Sequence, residues 1–155
     1  MPALSAGQIM QYSEQQALNA VFLKTQSPPV AATYLALSTT AVGALQSTEL
    51  TMAGATINEY ATASGYARQS YGPVAATAAS PSVIYNTAQI TWGPFTSAPG
   101  TCVWGIACTL ASGTTANCIA AFLLASTRTP AIGDSLQAAA GTGSVASACA
   151  ALAAR

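Results

Sequence analysis

The sequence predicts a mainly β protein: an antiparallel β-sandwich of jelly-roll type with one N-terminal α-helix. Apolar residues recur at helical spacing only near the N-terminus. Beyond Ala32, short segments alternate apolar and polar residues, and clusters of Gly, Pro, Ser and Thr separate them. The chain has 155 residues, enough for one sizeable core and too few to expect two. We therefore expect a single domain over residues 1–155.

The predicted helix occupies residues 5–25. Ser5 and Gln8 have the spacing of a capping box, in which each side chain satisfies a free backbone amide of the other residue. The apolar residues of the segment fall roughly on one helical face: Ile9, Met10, Ala17, Leu18, Val21 and Phe22. The run Ser27-Pro28-Pro29 ends the helix, because proline supplies no amide and constrains the residue before it.

The predicted sandwich occupies residues 32–140. Its strand candidates are ATYLALST (32–39), GYARQSYG (65–72), SVIYNTAQITW (82–92), TCVWGIACTL (101–110) and NCIAAFLLA (117–125). Strict alternation places every second residue of a strand on one face. The residues expected to share a face are Ile84, Ala88, Ile90 and Trp92; then Cys102, Trp104, Ile106, Cys108 and Leu110; and then Cys118, Ala120, Phe122 and Leu124.

Two segments are weakly specified. Residues 40–64 show no clear period, which predicts either an exposed functional loop or a strand that alternation does not reveal. Residues 141–155 are rich in alanine, which favours helix over strand, and they are expected to form a C-terminal tail or a last strand.

The hairpin after residue 101 is expected to bring two cysteines together. If its turn centres near Gly113, the numbers of paired residues sum to 226, so Cys108 lies opposite Cys118 and Trp104 opposite Phe122. Opposed β-carbons lie about 4.5–5.5 Å apart, and a disulfide needs about 3.5–4.5 Å. The pair therefore predicts either a slightly strained disulfide or two small buried thiols.

A third alternative for the cysteines is a bridge to another subunit. Cys149, near the chain end, and Cys102, beside the turn at Pro99-Gly100, are the candidates for that bridge. No two cysteines form a C-x-x-C, so neither a zinc knuckle nor a redox dithiol is indicated. In each alternative the sulfurs fill or fasten the fold and do not catalyse.

Charge is scarce in this chain. Its eight ionisable side chains other than Cys and Tyr sum to zero, and they are Glu14, Lys24, Glu49, Glu59, Arg68, Arg128, Asp134 and Arg155. No basic stripe is present, so we expect no nucleic-acid partner. The longest strongly apolar run, residues 119–125, is far shorter than the roughly 20 residues of a membrane span, so we expect no membrane partner. A neutral Ser/Thr/Ala/Gln-rich surface favours a protein that packs against neighbours.

The residues of common catalytic and cofactor sites are missing. There is no histidine, which removes the commonest general base and a principal zinc ligand. The segment GTGSVA (141–146) matches a dinucleotide-binding pattern by letter, but too little chain follows it for the rest of that unit. We therefore expect no cofactor, no metal and no enzymatic activity.

Several segments together resemble a family of small virion proteins from tailed bacteriophages, of tail-fibre-like or decoration-like type. The matching segments occur in the family's order: VFLKTQSPPVAATYLALSTT, EYATASGYARQSYGP, NTAQITWGP and WGIACTLASGTTANCIAAFLLASTRTPAIGDSL. They cover most of residues 15–140. The second holds an acidic residue before Gly-Tyr-Ala-Arg, and the last holds an Arg-containing turn before Gly-Asp-Ser-Leu.

The resemblance implies a β-sandwich assembled on a particle surface, synthesised in the host bacterial cytoplasm. It implies that Gly65 and Gly133 are turn glycines, that Arg68 and Arg128 brace loops or subunit contacts, and that Asp134 caps the turn into the following strand. It favours a capsid decoration or cement protein that stabilises the particle as a homo-oligomer, with a trimer expected, bound to the major capsid protein. The alternative is a collar, tail or tail-fibre component or a host-surface-binding module.

Overall fold

The computed structural model describes residues 8–22, 34–72, 83–84, 86–140 and 145–146. Its elements in chain order are β1 (Gln8–Ile9), α1 (Gln11–Phe22), β2 (Tyr34–Ser38), a 3₁₀ turn (Thr62–Ser64), β3 (Gln69–Ser70), β4 (Val83–Ile84), β5 (Ile90–Trp92), β6 (Cys102–Cys108), β7 (Cys118–Arg128), β8 (Leu136–Ala138) and β9 (Val145–Ala146). The prediction of a mainly β, antiparallel protein with one N-terminal helix is confirmed.

One five-stranded sheet organises the described residues. Its strand order is β1-β7-β6-β2-β3, and every neighbouring pair is antiparallel. The long hairpin of β6 and β7 forms the middle, as the sequence predicted. Two smaller antiparallel sheets, β5–β8 and β4–β9, lie outside it. All seven residues of β6 are buried, which is expected of a central strand covered on both faces.

Two apolar clusters cover the two faces of this sheet. One, which we call the sulfur face, includes Met10, Leu45, Met52, Ile57, Trp104, Ile106, Cys108 and Cys118. The other, the aromatic face, includes Leu35, Leu37, Tyr60, Tyr66, Tyr71, Ile90, Trp92, Phe95 and Cys102. The β5–β8 pair supplies a second β layer on the aromatic face. The sulfur face is covered by a loop instead.

That covering loop lies within residues 40–64, for which the sequence predicted an exposed loop or a hidden strand. Part of the segment is exposed, including Val42 and Leu50, and it forms no regular strand. However, Leu45, Met52 and Ile57 are buried in the sulfur face. Backbone hydrogen bonds join it to the hairpin, including one from Met52 N–H to the Ala116 carbonyl at 2.8 Å. Apolar residues dispersed at no regular period can therefore form a lid.

The helix begins later than predicted. Its described span is Gln11–Phe22, whereas residues 5–25 were expected to be helical, and residues 5–7 and 23–25 lie outside the described part of the chain. Gln8 and Ile9 instead form β1 and pair with Ala121 and Ala120. Ser5 and Ser27-Pro28-Pro29 lie outside the described residues.

The predicted apolar face of the helix is only partly buried. Met10, just before the helix, is fully buried, whereas Leu18 is 57% and Phe22 is 75% exposed. Within the described residues, no helix is both long enough and apolar enough to cross a membrane.

The segment at 82–92 is two strands rather than one. Asn86 is fully buried between β4 and β5, and its Nδ2 donates to the carbonyls of Ala88 and Ala139, both at 2.8 Å. These bonds hold the chain in a bend, so Ala88 is exposed rather than in line with Ile90 and Trp92. Tyr85 lies outside the described residues.

The hairpin register is partly that of the prediction. Cys108 does face Cys118, but Trp104 faces Leu123 rather than Phe122, because an irregularity follows the cysteine pair. Cys108 pairs with Cys118, but its neighbour Ala107 pairs with Ala120, so β7 has one extra residue at this point. From Ala120 onward, the side chains of β7 therefore lie on the opposite face from the one predicted. A second irregularity places Cys102 in the aromatic face, not beside Trp104.

Candidate functional site

The three described cysteines are free thiols. Cys108 and Cys118 share the sulfur face, where the Cys118 sulfur lies 3.5 Å from the Met52 sulfur. The Cys108 thiol is directed to the carbonyl of Leu110 at 3.7 Å. Cys102 contacts the Trp104 carbonyl at 3.9 Å from the other face. Cys149 lies outside the described residues.

Burial makes these thiols poor nucleophiles. It raises the pKa of Cys102 and of Cys108 to about 11, and that of Cys118 to about 12. The thiolate is the reactive form, so a pKa raised this far leaves almost none of it near neutral pH. Cys108 and Cys118 were expected to form either a disulfide or two buried thiols. The structure shows two buried thiols, which fill the core.

Arg68 is at the centre of a network of side-chain hydrogen bonds. It is 8% exposed, and its Nε and Nη2 atoms bond to the two carboxylate oxygens of Glu59 at 2.7 Å each. Its Nη1 donates to the Leu110 carbonyl and its Nη2 to the Gly113 carbonyl, both at 2.9 Å. The bond to Glu59 raises the pKa of Arg68. The guanidinium thereby joins the β6–β7 turn to the segment before β3.

Tyr66 extends this group into the aromatic face. Its hydroxyl donates to Glu59 Oε1 at 3.0 Å and accepts the backbone N–H of Leu37 at 2.9 Å. Burial raises the pKa of Tyr66 above its ordinary value, so the hydroxyl remains a donor. Sequence reasoning singled out Arg68 but did not connect it with Glu59 or Tyr66. The quoted EYATASGYAR segment contains all three residues, and its acidic residue before Gly-Tyr-Ala-Arg was the available signal.

The predicted turn residues lie at two turns, each of which bonds to the segment Phe95–Thr96. Gly65 has φ of 77° after the 3₁₀ turn, and Gly133 has φ of 88°, conformations that side chains disfavour. The Gly133 N–H donates to the Phe95 carbonyl at 2.8 Å. One carboxylate oxygen of Asp134 accepts the Ala131 N–H at 2.8 Å, so Asp134 closes the turn that precedes β8.

Arg128 lies at the end of β7, where the strand separates from its neighbour. Cys102 pairs with Arg128 and Trp104 with Leu123, so two steps on β6 span five on β7. Residues 124–127 consequently lack partners on β6 within the described ladder. Their departure opens a groove between the main sheet and β8, which we call the β7–β8 groove.

The β7–β8 groove has an apolar part and a polar end. The apolar part has a volume of about 300 Å³, and its lining includes Leu37, Trp92, Phe122, Leu124 and Leu136. Arg128 lines this part and also the adjoining depression of about 330 Å³, where it is joined by Thr129, Asp134, Ser135 and Gln137.

No catalytic grouping emerges from the described side chains. Glu59 is bonded to Arg68, Glu49 to Thr56 at 2.7 Å, and Asp134 to its own turn. Across residues 8–22, 34–72, 83–84, 86–140 and 145–146, no three His, Cys, Asp or Glu side chains lie close enough to hold a metal ion. What the arrangement can do is brace loops and present a groove to another molecule.

Comparison with known proteins gives one family. A family model described as "Podophage GP4 fiber I protein gp80" matches residues 8–146. This range contains every described element of the fold. No curated protein and no solved structure matches the chain at a significant level.

Proposed function

The chain belongs to the family of the podophage GP4 fibre I protein gp80, and on this premise we propose that it is a non-enzymatic subunit of a tailed-phage fibre. Membership itself makes it a structural component of a tailed-phage virion. The match over residues 8–146 carries the proposal, because it covers both faces of the sheet and the β7–β8 groove. The position on the particle surface is part of the proposal.

The composition supports an assembly role. Of the described ionisable groups, Glu59 and Arg68 are bonded to each other, and Glu49 is bonded to Thr56, which leaves few free charges on the surface. Such a surface offers little electrostatic repulsion between copies. We accordingly propose that the subunit forms a homo-oligomer, a trimer being favoured, and contacts other virion proteins.

The capsid decoration or cement role favoured by the sequence is the second candidate. The same scarcity of charge supports it, since many copies on a lattice gain avidity without individually strong contacts. The fibre role takes precedence because the family description names a fibre protein.

The absence of catalysis is also part of the proposal. It is supported by the buried cysteines, whose raised pKa values disfavour thiolate, and by the sequence, which has no histidine to serve as a base. Turnover of any substrate by the purified protein that is lost on alkylation of its thiols would contradict this part.

Labelling of intact particles tests the fibre role. Gold-conjugated antibodies against the chain should decorate the tail region of purified virions in electron micrographs, and quantitative mass spectrometry should give a few to a few dozen copies per particle. Hundreds of copies with label over the whole capsid would contradict the fibre role and support decoration. Particles from a phage that lacks the coding sequence provide the background control.

A further inference from the structure

The turn at residues 130–134 presents an exposed apolar side chain on a rigid support. Ile132, at its tip, is 71% exposed. The turn is fixed by the bond from Ala131 N–H to Asp134 and by the bond from Gly133 N–H to Phe95. Ile132 is therefore held outward by a preformed turn, and little conformational entropy remains to be lost when it is buried.

The β7–β8 groove lies beside this turn and has complementary features. Its apolar part, about 300 Å³, is lined mainly by Leu, Phe and Trp side chains, and Arg128 stands where that part meets the polar end. Arg128 and Asp134 both line the polar end, yet among the described residues the one ion pair is that of Arg68 with Glu59. Each copy thus carries an exposed cation and an exposed carboxylate that are not paired with each other.

We propose that this face is the contact between copies of the chain, with the 130–134 turn of one copy docked in the β7–β8 groove of the next. Ile132 enters the apolar part of the groove, and Asp134 of the entering turn pairs with Arg128 of the receiving copy. The inference rests on the proposed fibre role, which requires subunits to assemble. It identifies the surface through which they do so.

A second copy is the occupant that the charges favour. One face of one chain holds the apolar side chain, the groove that can receive it, and two opposite charges that can pair between copies. The exposed residues Leu18 and Phe22 on α1 line neither of the two cavities described above, and the described residues of the helix include no basic side chain. A buried aliphatic anchor with a charged pair at its rim is a common interface arrangement, in which the anchor supplies most of the affinity.

Sedimentation of the purified full chain over a range of concentrations tests the proposal. Ile132→Asp should raise the dissociation constant of the oligomer by about 30-fold or more, the effect of losing a central anchor. Arg128→Glu should also weaken it, more at low salt than at high salt. Leu18→Asp, on α1, is the matched control and should leave assembly unchanged.

Combining the two charge reversals in one chain makes the test specific. Arg128→Glu and Asp134→Arg should each assemble poorly, and the double variant that carries both should assemble, because every contact then joins opposite charges. Should the Asp134 variant lose its turn, cross-linking replaces it. In a Cys149→Ser background, Ile132→Cys and Ala125→Cys proteins mixed under mild oxidation should give a heterodimeric disulfide in excess of either homodimer.

The outcomes separate this inference from the proposed function. Wild-type assembly in all the variants, or no preference for the mixed disulfide, would overturn the groove contact while leaving the virion role intact. A wild-type chain that remains monomeric at every concentration would overturn the contact as well. Loss of the fibre role itself would appear in the particle labelling, which does not depend on the groove.

Discussion

The two faces of the central sheet are stabilised by different means. On the aromatic face, polar tips of buried rings bond to specific atoms: Tyr60 donates to the Gly100 carbonyl at 2.8 Å and Trp92 to the Leu35 carbonyl at 3.3 Å. On the sulfur face, the indole nitrogen of Trp104 is fully buried and has no hydrogen-bond partner among the described residues. One face combines packing with directional bonds, whereas the other depends mainly on packing.

The difference corresponds to what covers each face. The β5–β8 layer must lie at a defined position to form the bond from Trp92 to the Leu35 carbonyl, and a directional bond selects one arrangement. The 40–64 loop covers the other face with residues such as Met52, whose flexible thioether adapts to irregular gaps. The loop is thus held by packing and by scattered backbone bonds to the hairpin, and the ordered layer is held by packing, ladder bonds and the Trp92 bond.

Alkaline pH should destabilise the sulfur face first, and this is the largest expected effect. Unfolding lets each thiol ionise near its ordinary pKa of 9.0, while the folded Cys108 and Cys118 remain protonated to about 11 and 12. The unfolded state then binds fewer protons, so the free energy of unfolding falls as pH rises above 9. Each thiol should contribute about 1.4 kcal/mol per pH unit until its folded pKa.

Cysteine variants show how much of this loss of stability comes from the thiols of each face. In denaturant unfolding from pH 8 to 11, Cys108→Ala with Cys118→Ala should remove about twice as much of the pH slope as Cys102→Ala, at the aromatic face. The pKa values of the buried tyrosines are raised from their ordinary value of 10.0, so these residues add to the loss of stability only above about pH 10. Equal slopes for both variants would show that the thiols are not the source.

Loss of Arg68 should have the next largest effect, because it joins the aromatic face to the hairpin turn. Arg68→Leu leaves the partly buried Glu59 without its cation and frees the carbonyl acceptors of Leu110 and Gly113, so the free energy of unfolding should fall by about 3 kcal/mol. Arg68→Lys should recover only part of this loss, since an ammonium cannot form the paired bonds to Glu59. Glu14→Gln, on an exposed helix surface, should change stability by less than about 0.5 kcal/mol.

The strands were predictable because their alternation reflects burial. β2 and β6 fall within predicted segments, and β7 begins in one and continues past its end to Arg128. The pairing of Cys108 with Cys118 follows from the turn position alone. The register beyond that pair was not predictable. Ala120 and Ala121 are equally small, so the sequence carries little signal to show which of them faces which cluster when an extra residue enters the ladder.

The polar contacts were harder to infer for a different reason. Arg68 stood out as one of few cations, but its partners are Glu59 and two backbone carbonyls, and backbone acceptors carry no residue identity in a sequence. Asn86 likewise divides a well-patterned segment through bonds to carbonyls. Alternation reports burial along one strand and does not report a side chain that binds the backbone of another segment.

A smaller contrast should separate directional from adaptable packing at matched positions. Tyr66→Phe leaves the Leu37 N–H buried without its acceptor and removes a donor from Glu59, so it should cost about 1–3 kcal/mol. Met52→Leu keeps nearly the same volume in the sulfur face and should cost less than about 1.5 kcal/mol. Urea denaturation followed by circular dichroism measures both, and a larger cost for Met52→Leu would reverse the comparison between the faces.

The two tryptophans give the smallest expected difference. The indole N–H of Trp92 is hydrogen-bonded and that of Trp104 is not, within the described part of the chain, so the same substitution removes a bond at only one of the two positions. Trp92→Phe removes a donor and leaves the buried Leu35 carbonyl without that bond, whereas Trp104→Phe removes an N–H that has no partner among the described residues. Both substitutions lose similar volume, so the packing cost largely cancels in the difference. Trp92→Phe should be the more destabilising by about 1 kcal/mol in paired denaturant unfolding curves, the net value of one buried hydrogen bond. Equal losses would mean that Trp104 is bonded after all, and the sulfur face would then owe part of its stability to a directional contact like those opposite.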